Sequence, residues 1–224
     1  MADPQTHYLA RGTQKYADTD RYASETVPAL NAEIARQTLP CYGISLGDIT
    51  YSEGNRDSTP SMEIIRGHFS RVNMPIFNVM GNHDFTYFKP DASISTSEES
   101  SSINLLSQRS YEEVFGPVNF SFERGDVHFV CMKDVHFNST STWNAGNYSG
   151  GFTDAEYQWL VQDLGKTSKS MKVVLCVHIP VSTSNGPNMS KVKELLDSFA
   201  DAVVFSGHTH YQRTVYDGDR LYEQ

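Results

Sequence analysis

The segment Phe205-Ser206-Gly207-His208-Thr209-His210 places two histidines directly after an apolar, strand-forming run. Three earlier polar loops have the same form, and each follows an apolar run of its own. They are Leu46-Gly47-Asp48, Met80-Gly81-Asn82-His83-Asp84 and Val177-His178-Ile179-Pro180, after residues 41–46, 75–80 and 171–177. Carboxylate, amide and imidazole groups brought together at strand ends are suitable ligands for a pair of divalent metals. The four loops therefore predict a metal site at one edge of a sheet.

The segments between these strands have the periodicity of helices that pack on a sheet. Helices are predicted at four places: residues 20–37, residues 59–72, behind the capping box that begins at Thr153, and behind Ser190 as a cap. Strands at 118–123 and 126–133 predict a hairpin around Arg124 and Gly125, and a further strand is expected at 211–216. This alternation predicts a mixed α/β fold.

Composition narrows the class of protein. The 224 residues, 38% hydrophobic and 20% charged, fit one soluble globular domain, and no apolar run is long enough for a membrane span. A net charge of −9 disfavours extensive binding to nucleic acid. The three cysteines are isolated in apolar runs, which favours buried thiols over a disulfide framework or a metal site. Residues 93–102, rich in Ser and Glu, are expected to form a mobile surface loop.

The order and spacing of the four loops resemble those of the calcineurin-like metallophosphoesterase superfamily, which includes purple acid phosphatases and bacterial phosphohydrolases. Gly81-Asn82-His83-Asp84 together with Gly207-His208-Thr209-His210 is the most specific part of the resemblance. It implies two packed mixed β-sheets flanked by helices, a four-layer sandwich with the metals at one edge. Residues 1–224 would be a single catalytic domain. Only Met1 and Ala2 precede the first motif, so we expect a fragment of a longer protein, truncated at both ends.

The resemblance also implies roles for single residues. Asp48 would bridge the two metals, Asn82, His178 and His208 would bind one of them, and His210 would bind the other. His83 resembles the catalytic histidine, which assists the leaving alkoxide as a general acid. Asp84 would bind the far ring nitrogen of His83 and fix its tautomer.

The first motif departs from the commonest pattern, Asp-x-His, because this chain has Asp3-Pro4-Gln5. Neutral Gln5 is a poor substitute for imidazole at a transition metal. Purple acid phosphatases also lack this histidine and carry Gly-Asp-x-x-Tyr, which matches Gly47 to Tyr51 here. Two alternatives remain: either Tyr51 replaces the imidazole on the first metal, or Tyr51 packs against the sheet and Gln5 contacts the metal or its water.

The predicted function is a phosphoric ester hydrolase that uses two divalent or Fe, Mn or Zn ions, with Mn or Fe favoured. The expected partner is a small phosphorylated substrate, and monoester, diester and nucleotide pyrophosphate all stay open. The second hypothesis is a weakly active or inactive module that binds a phosphorylated or glycan ligand. The compartment and the oligomeric state are left open, an exported or periplasmic location of the full-length protein being one alternative.

Overall fold

A computed structural model of the chain describes residues 14–50, 59–85, 97–137, 148–181, 186–210, 212–217 and 220–223. Its helices are α1 (Gln14–Ile34), α2 (Thr59–Phe69), α3 (Ser97–Phe115), α4 (Asp154–Lys166) and α5 (Met189–Asp197). Its strands are β1 (Gly43–Ser45), β2 (Ile76–Asn78), β3 (Asn119–Arg124), β4 (Val127–Met132), β5 (Val135–Phe137), β6 (Tyr148–Gly150), β7 (Lys172–Cys176), β8 (Ala202–Phe205), β9 (Thr214–Asp217) and β10 (Arg220–Glu223).

The largest sheet has six strands in the order β3-β4-β7-β8-β10-β9. Strands β4, β7, β8 and β10 run parallel to one another, and β3 and β9 pair antiparallel at the two edges. The parallel strands all end at the same edge of the sheet. The polar residues that follow β4, β7 and β8 are therefore brought close together although they are far apart in sequence.

Alternate side chains of the central strands enter two different cores, as the pleat of a strand requires. One face of the sheet packs against α4 and α5, and its core contains Val130, Met132, Val173, Leu175, Val204, Leu160, Leu164, Val192 and Leu196. The other face carries Phe129, Cys131, Val174 and Cys176 and packs against side chains in and beside β1, Tyr42, Ile44 and Leu46. Burial on both faces explains why these strands read as continuous apolar runs.

Two small sheets complete the part of the chain that the structure describes. Strands β1 and β2 pair in parallel, with Ser45 opposite Asn78, and β5 pairs antiparallel with β6. The loops that follow β1 and β2 carry Asp48 and Asn82, so this second parallel pair brings two more of the predicted site residues together. The α/β class with mixed sheets flanked by helices is confirmed, as is the hairpin of β3 and β4 around Arg124 and Gly125.

The helices agree with the sequence prediction at some ends and differ at others. Thr153 caps α4 through a complete capping box with Glu156, as predicted. The predicted cap of α5 is wrong: this helix begins at Met189, and its cap residue is Asn188 in a left-handed conformation rather than Ser190. Helix α1 covers Gln14–Ile34 rather than 20–37. None of the helices in the described ranges is long and apolar enough to cross a membrane.

The expectation of a surface loop over residues 93–102 is also wrong in its second half, because α3 begins at Ser97. The sequence did not predict this helix because many residues on its buried face are polar. Ser100 and Ser107 are buried together with Tyr111 at helical spacing, and Asn104 forms two hydrogen bonds with the backbone of Phe137 in β5. The stripe therefore has the right period, but polar residues occupy most of it.

Candidate metal centre and active site

Four of the predicted site residues converge where the parallel strands end. Ligand atoms of Asp48, His178 and His208 all lie within 4.8 Å of one another. Asn82 joins them, because its Oδ1 lies 2.9 Å from His178 Nε2 and 3.0 Å from His208 Nδ1. Asp48, Asn82 and His178 are buried and His208 is half-buried. The structure thus brings two imidazoles, an amide oxygen and a carboxylate to one point.

A hydrogen bond with the backbone of Leu46 fixes the orientation of the His178 ring. Its Nδ1 lies 2.7 Å from the carbonyl oxygen of Leu46, which only accepts hydrogen bonds, so Nδ1 carries the proton. Its Nε2 then faces Asn82 Oδ1 at 2.9 Å and Asp48 Oδ1 at 3.3 Å. A nitrogen between two acceptor oxygens requires a positive centre, either its own second proton or a metal ion. The donor set therefore fits a divalent metal.

The short distances between these side chains shift their pKa values. Burial opposes a charge on either side chain of the pair, yet attraction to Asp48 raises the pKa of His178 to about 9. The same attraction, with the N–H of His83, holds the pKa of Asp48 below its usual range against the effect of burial. Burial and the neighbouring His178 lower the pKa of His208 to about 4, so this imidazole is neutral and one of its two ring nitrogens carries a lone pair.

The loops that carry Asp48 and Asn82 are tied to each other by hydrogen bonds. The backbone N–H of His83 donates to Asp48 Oδ1 at 2.9 Å. The Asp84 carboxylate accepts the N–H of Thr50 and the N–H of Gly81, both at 2.8 Å. Thr50 returns a bond from its hydroxyl to the carbonyl of His83 at 2.8 Å. Asp84 thus fixes the backbone of both loops, and its predicted action on the ring of His83 stays a prediction.

Two glycines allow this close approach. Gly81 has no room for a side chain, because a Cβ there would lie 2.3 Å from both the backbone nitrogen and Oδ1 of Asp48. A Cβ at Gly47 would lie 2.6 Å from Nδ1 of His178, and Gly47 also has a φ of +99°. The glycines of both motifs are therefore required by the contact between backbone and ligand side chains.

Asp134 has a role that sequence reasoning did not find. The residue is completely buried. Its carboxylate accepts the backbone N–H groups of His178 and Ile179 at 3.0–3.1 Å. Asp134 follows β4 and His178 follows the neighbouring parallel strand β7, so the bond joins two adjacent strand ends. The signal in the sequence was an acidic residue within three positions of the end of a strand, as at Asp48.

His208 and His210 lie beyond the end of a strand, and their side chains have different surroundings. Strand β8 ends at Phe205, and both histidines have positive φ values, 69° and 57°. His208 turns inward to Asn82, whereas His210 is exposed and lies outside the group of Asp48, His178 and His208. The ring of His83 is half-buried beside this group. Asp3, Gln5 and Tyr51 lie outside the described residues.

A family model described as calcineurin-like phosphoesterase matches residues 31–212, which contain all four loops of the site. The chain belongs to the calcineurin-like phosphoesterase family. As a calcineurin-like phosphoesterase it is a metal-dependent hydrolase of phosphoric esters, which favours the enzyme over the non-hydrolytic binding module. The resemblance stated from the sequence motifs is confirmed.

Similar proteins agree with this assignment. The human manganese-dependent ADP-ribose/CDP-alcohol diphosphatase is 24% identical over 258 residues, and the match covers 94% of this phosphoesterase chain and 75% of the human protein. The mouse protein of the same name is also 24% identical, with 76% of its length covered. A solved structure, purple acid phosphatase PPD1 from yellow lupin, has the same fold, with a TM-score of 0.55 and 13% identity over 90% of this chain. The chain spans 39% of the lupin protein.

Proposed function

We propose that this chain hydrolyses small phosphoric ester or anhydride substrates at a centre of two divalent metal ions. The observation that carries the proposal is the environment of His178, whose Nε2 faces the oxygens of Asn82 and Asp48. Asn82, His178 and His208 would hold one ion, and Asp48 would offer a carboxylate oxygen to both. Manganese is the first candidate, because the curated relatives are manganese-dependent by name.

The other ion would be held by residues at the exposed side of the same edge. Asp48 is shared, and His210 belongs to the same loop as His208. Asp3 and either Tyr51 or Gln5 would complete this site. A phenolate at Tyr51 favours iron, whereas a neutral Gln5 leaves manganese as the better candidate.

When bound, the ions supply positive charge that polarises phosphoryl oxygens and makes water a stronger nucleophile. The residues of the chain do the rest. The backbone contacts of Asp48, Asp84 and Asp134 hold the loops rigid, so that the donor atoms are in place before substrate arrives. His83, whose backbone is fixed by Asp48 and Thr50, presents its ring at the half-buried rim and donates a proton to the leaving oxygen.

The substrate class proposed is a nucleotide-type diphosphate, in which water attacks one phosphorus and the P–O bond to the bridging oxygen of the P–O–P anhydride is broken. Support comes from the names of the relatives, which act on ADP-ribose and CDP-alcohols. Their matches cover nearly the whole of this chain. A simple monoester or diester is the alternative within the same chemistry.

A substrate comparison tests the proposal. Metal-stripped protein is supplied with Mn²⁺, and kcat/KM is measured for ADP-ribose, a chromogenic phosphomonoester and a chromogenic phosphodiester. The expected result is the highest kcat/KM for ADP-ribose, with AMP as a product and no turnover in excess chelator. A higher value for either chromogenic ester would overturn the diphosphate class alone. No hydrolysis of any substrate with Mn²⁺, Fe or Zn²⁺ would overturn the proposed function.

A further inference from the structure

Tyr148 contacts the outer nitrogen of a residue in the candidate metal centre. It is the first residue of β6, and its hydroxyl oxygen lies 3.2 Å from His208 Nε2. The two rings meet edge to face, with centroids 5.6 Å apart and an interplanar angle of 89°. The opposite nitrogen of the same imidazole, Nδ1, lies 3.0 Å from Asn82 Oδ1. His208 is therefore held between Tyr148 on one side and the centre on the other.

The hydroxyl of Tyr148 can determine which ring nitrogen of His208 carries the proton. A neutral imidazole carries one proton, so only one of its nitrogens offers a lone pair to a metal. Histidines that bind metals almost always donate their other N–H to an acceptor, which fixes the ring and makes the ligand nitrogen more basic. A phenol oxygen accepts such a bond. With Nε2–H directed at Tyr148, the lone pair of Nδ1 is directed at Asn82 and the centre.

Backbone contacts beside Tyr148 hold the strand that carries it in place. The N–H of Gly151 donates to the carbonyl of Asp134 at 2.8 Å, and the N–H of Phe152 donates to the carbonyl of Pro187 at 2.8 Å. A Cβ at Gly186 would overlap the carbonyl oxygen of Gly150, at 1.5 Å. The backbone beside Tyr148 is thus packed against other backbone without intervening side chains.

We propose that Tyr148 is a positioning residue for His208, whose hydroxyl accepts Nε2–H and so presents Nδ1 as the metal ligand. The inference rests on the proposed metal centre and adds a residue outside the family's motifs. It predicts that removal of one oxygen atom, which contacts the far side of the His208 ring, weakens metal binding while the fold is kept.

The test compares Tyr148→Phe with Tyr157→Phe, a variant that removes the hydroxyl of a half-buried tyrosine in α4. Affinity for Zn²⁺ and Mn²⁺ is measured by calorimetry on metal-stripped protein. Tyr148→Phe should weaken the tighter site by a factor of about 10–100, as loss of such outer partners does, and Tyr157→Phe should not. Equal affinities in wild type and Tyr148→Phe would overturn the inference.

A second readout follows the hydrogen bond itself and does not need turnover. In ¹⁵N-labelled Zn²⁺-loaded protein, His208 should carry its proton on Nε2, and this proton should exchange with water faster in Tyr148→Phe. In metal-free protein the ring nitrogens of His208 should shift in Tyr148→Phe and not in Tyr157→Phe. If Tyr148→Phe has the His208 signals and the metal affinity of wild type, this inference alone is overturned. Wild-type protein that binds no metal would overturn the metal centre and, with it, this role of Tyr148.

Discussion

The Nε2 atom of His178 lies 2.9 Å from Oδ1 of Asn82, although 96 residues separate them in the chain. Asn82 lies in a short 3-10 helix, Asn82–Asp84, and His178 lies beyond the end of β7. His178 is held through Leu46 and Asp134, and the Asn82 loop is held through Asp48 and Asp84. The relationship between these two residues therefore depends on backbone contacts that can be altered one at a time.

His83→Ala should lower kcat by a factor of about 10²–10⁴, the usual effect of losing a general acid, with metal content unchanged. The backbone N–H that binds Asp48 is retained in alanine, so the metal ligands should stay in place. Steady-state kinetics together with metal analysis of the purified variant would check this. Loss of metal from His83→Ala would show that His83 is a ligand instead.

Gly81→Ala should disrupt the centre, because the added methyl group would lie 2.3 Å from the backbone nitrogen of Asp48. Lower Mn²⁺ affinity and a lower Tm are expected. Gly67→Ala is the matched control, since a Cβ at Gly67 in α2 meets nothing within 4 Å. That variant should be neutral or stabilised by up to about 1 kcal/mol. Wild-type affinity in Gly81→Ala would contradict the packing described for the two loops.

Glu156→Gln should change how stability depends on pH. Although burial opposes ionisation of Glu156, His136 at 3.1 Å and Lys133 at 3.4 Å lower its pKa to about 2. A folded-state pKa below the unfolded value stabilises the fold above the unfolded pKa, about 4.3 for Glu. This contribution, on the order of 3 kcal/mol at most, disappears as pH falls from about 4.3 towards 2.

Urea unfolding of wild type and Glu156→Gln at several pH values would measure this contribution. The difference in the free energy of unfolding should be largest near pH 7 and should shrink as pH falls below about 4.3. Glu33→Gln is the control, because Glu33, near the end of α1, forms an exposed ion pair with Arg36, two residues beyond that helix. Such pairs contribute little. A difference that does not depend on pH would contradict the depressed pKa of Glu156.

Tyr51→Phe distinguishes the two alternatives for the first metal site. If the phenolate of Tyr51 binds the metal, loss of the hydroxyl should weaken this site, and iron-loaded protein should lose any charge-transfer colour. Gln5→Ala should then have a small effect. Calorimetric titration of both variants gives the answer: a wild-type profile for Tyr51→Phe would assign Tyr51 to packing and favour Gln5.

The strand ends and their polar loops could be predicted from sequence because each run is mostly apolar and Asp, Asn or His follows it within three residues. Helix α3 could not, because its buried stripe includes Ser100 and Ser107, and because Ser100 and Asn104 bind the backbone of Phe137 in β5. The inward turn of His208 depends on a positive φ, which sequence periodicity does not encode. The acceptor role of Asp134 depends on which strands are neighbours, and this is known only once the sheet order is known.

The most direct test of the metal centre is to count ions and turnover in wild type and in His178→Gln. Wild-type protein stripped of metal and dialysed against Mn²⁺ should bind two ions per chain, as a two-metal centre requires, and should hydrolyse its phosphate substrate. His178→Gln should remain folded by circular dichroism, bind at most one ion tightly and lose most of its kcat. Wild-type protein without metal or turnover, or His178→Gln with wild-type metal content and kcat, would contradict the account.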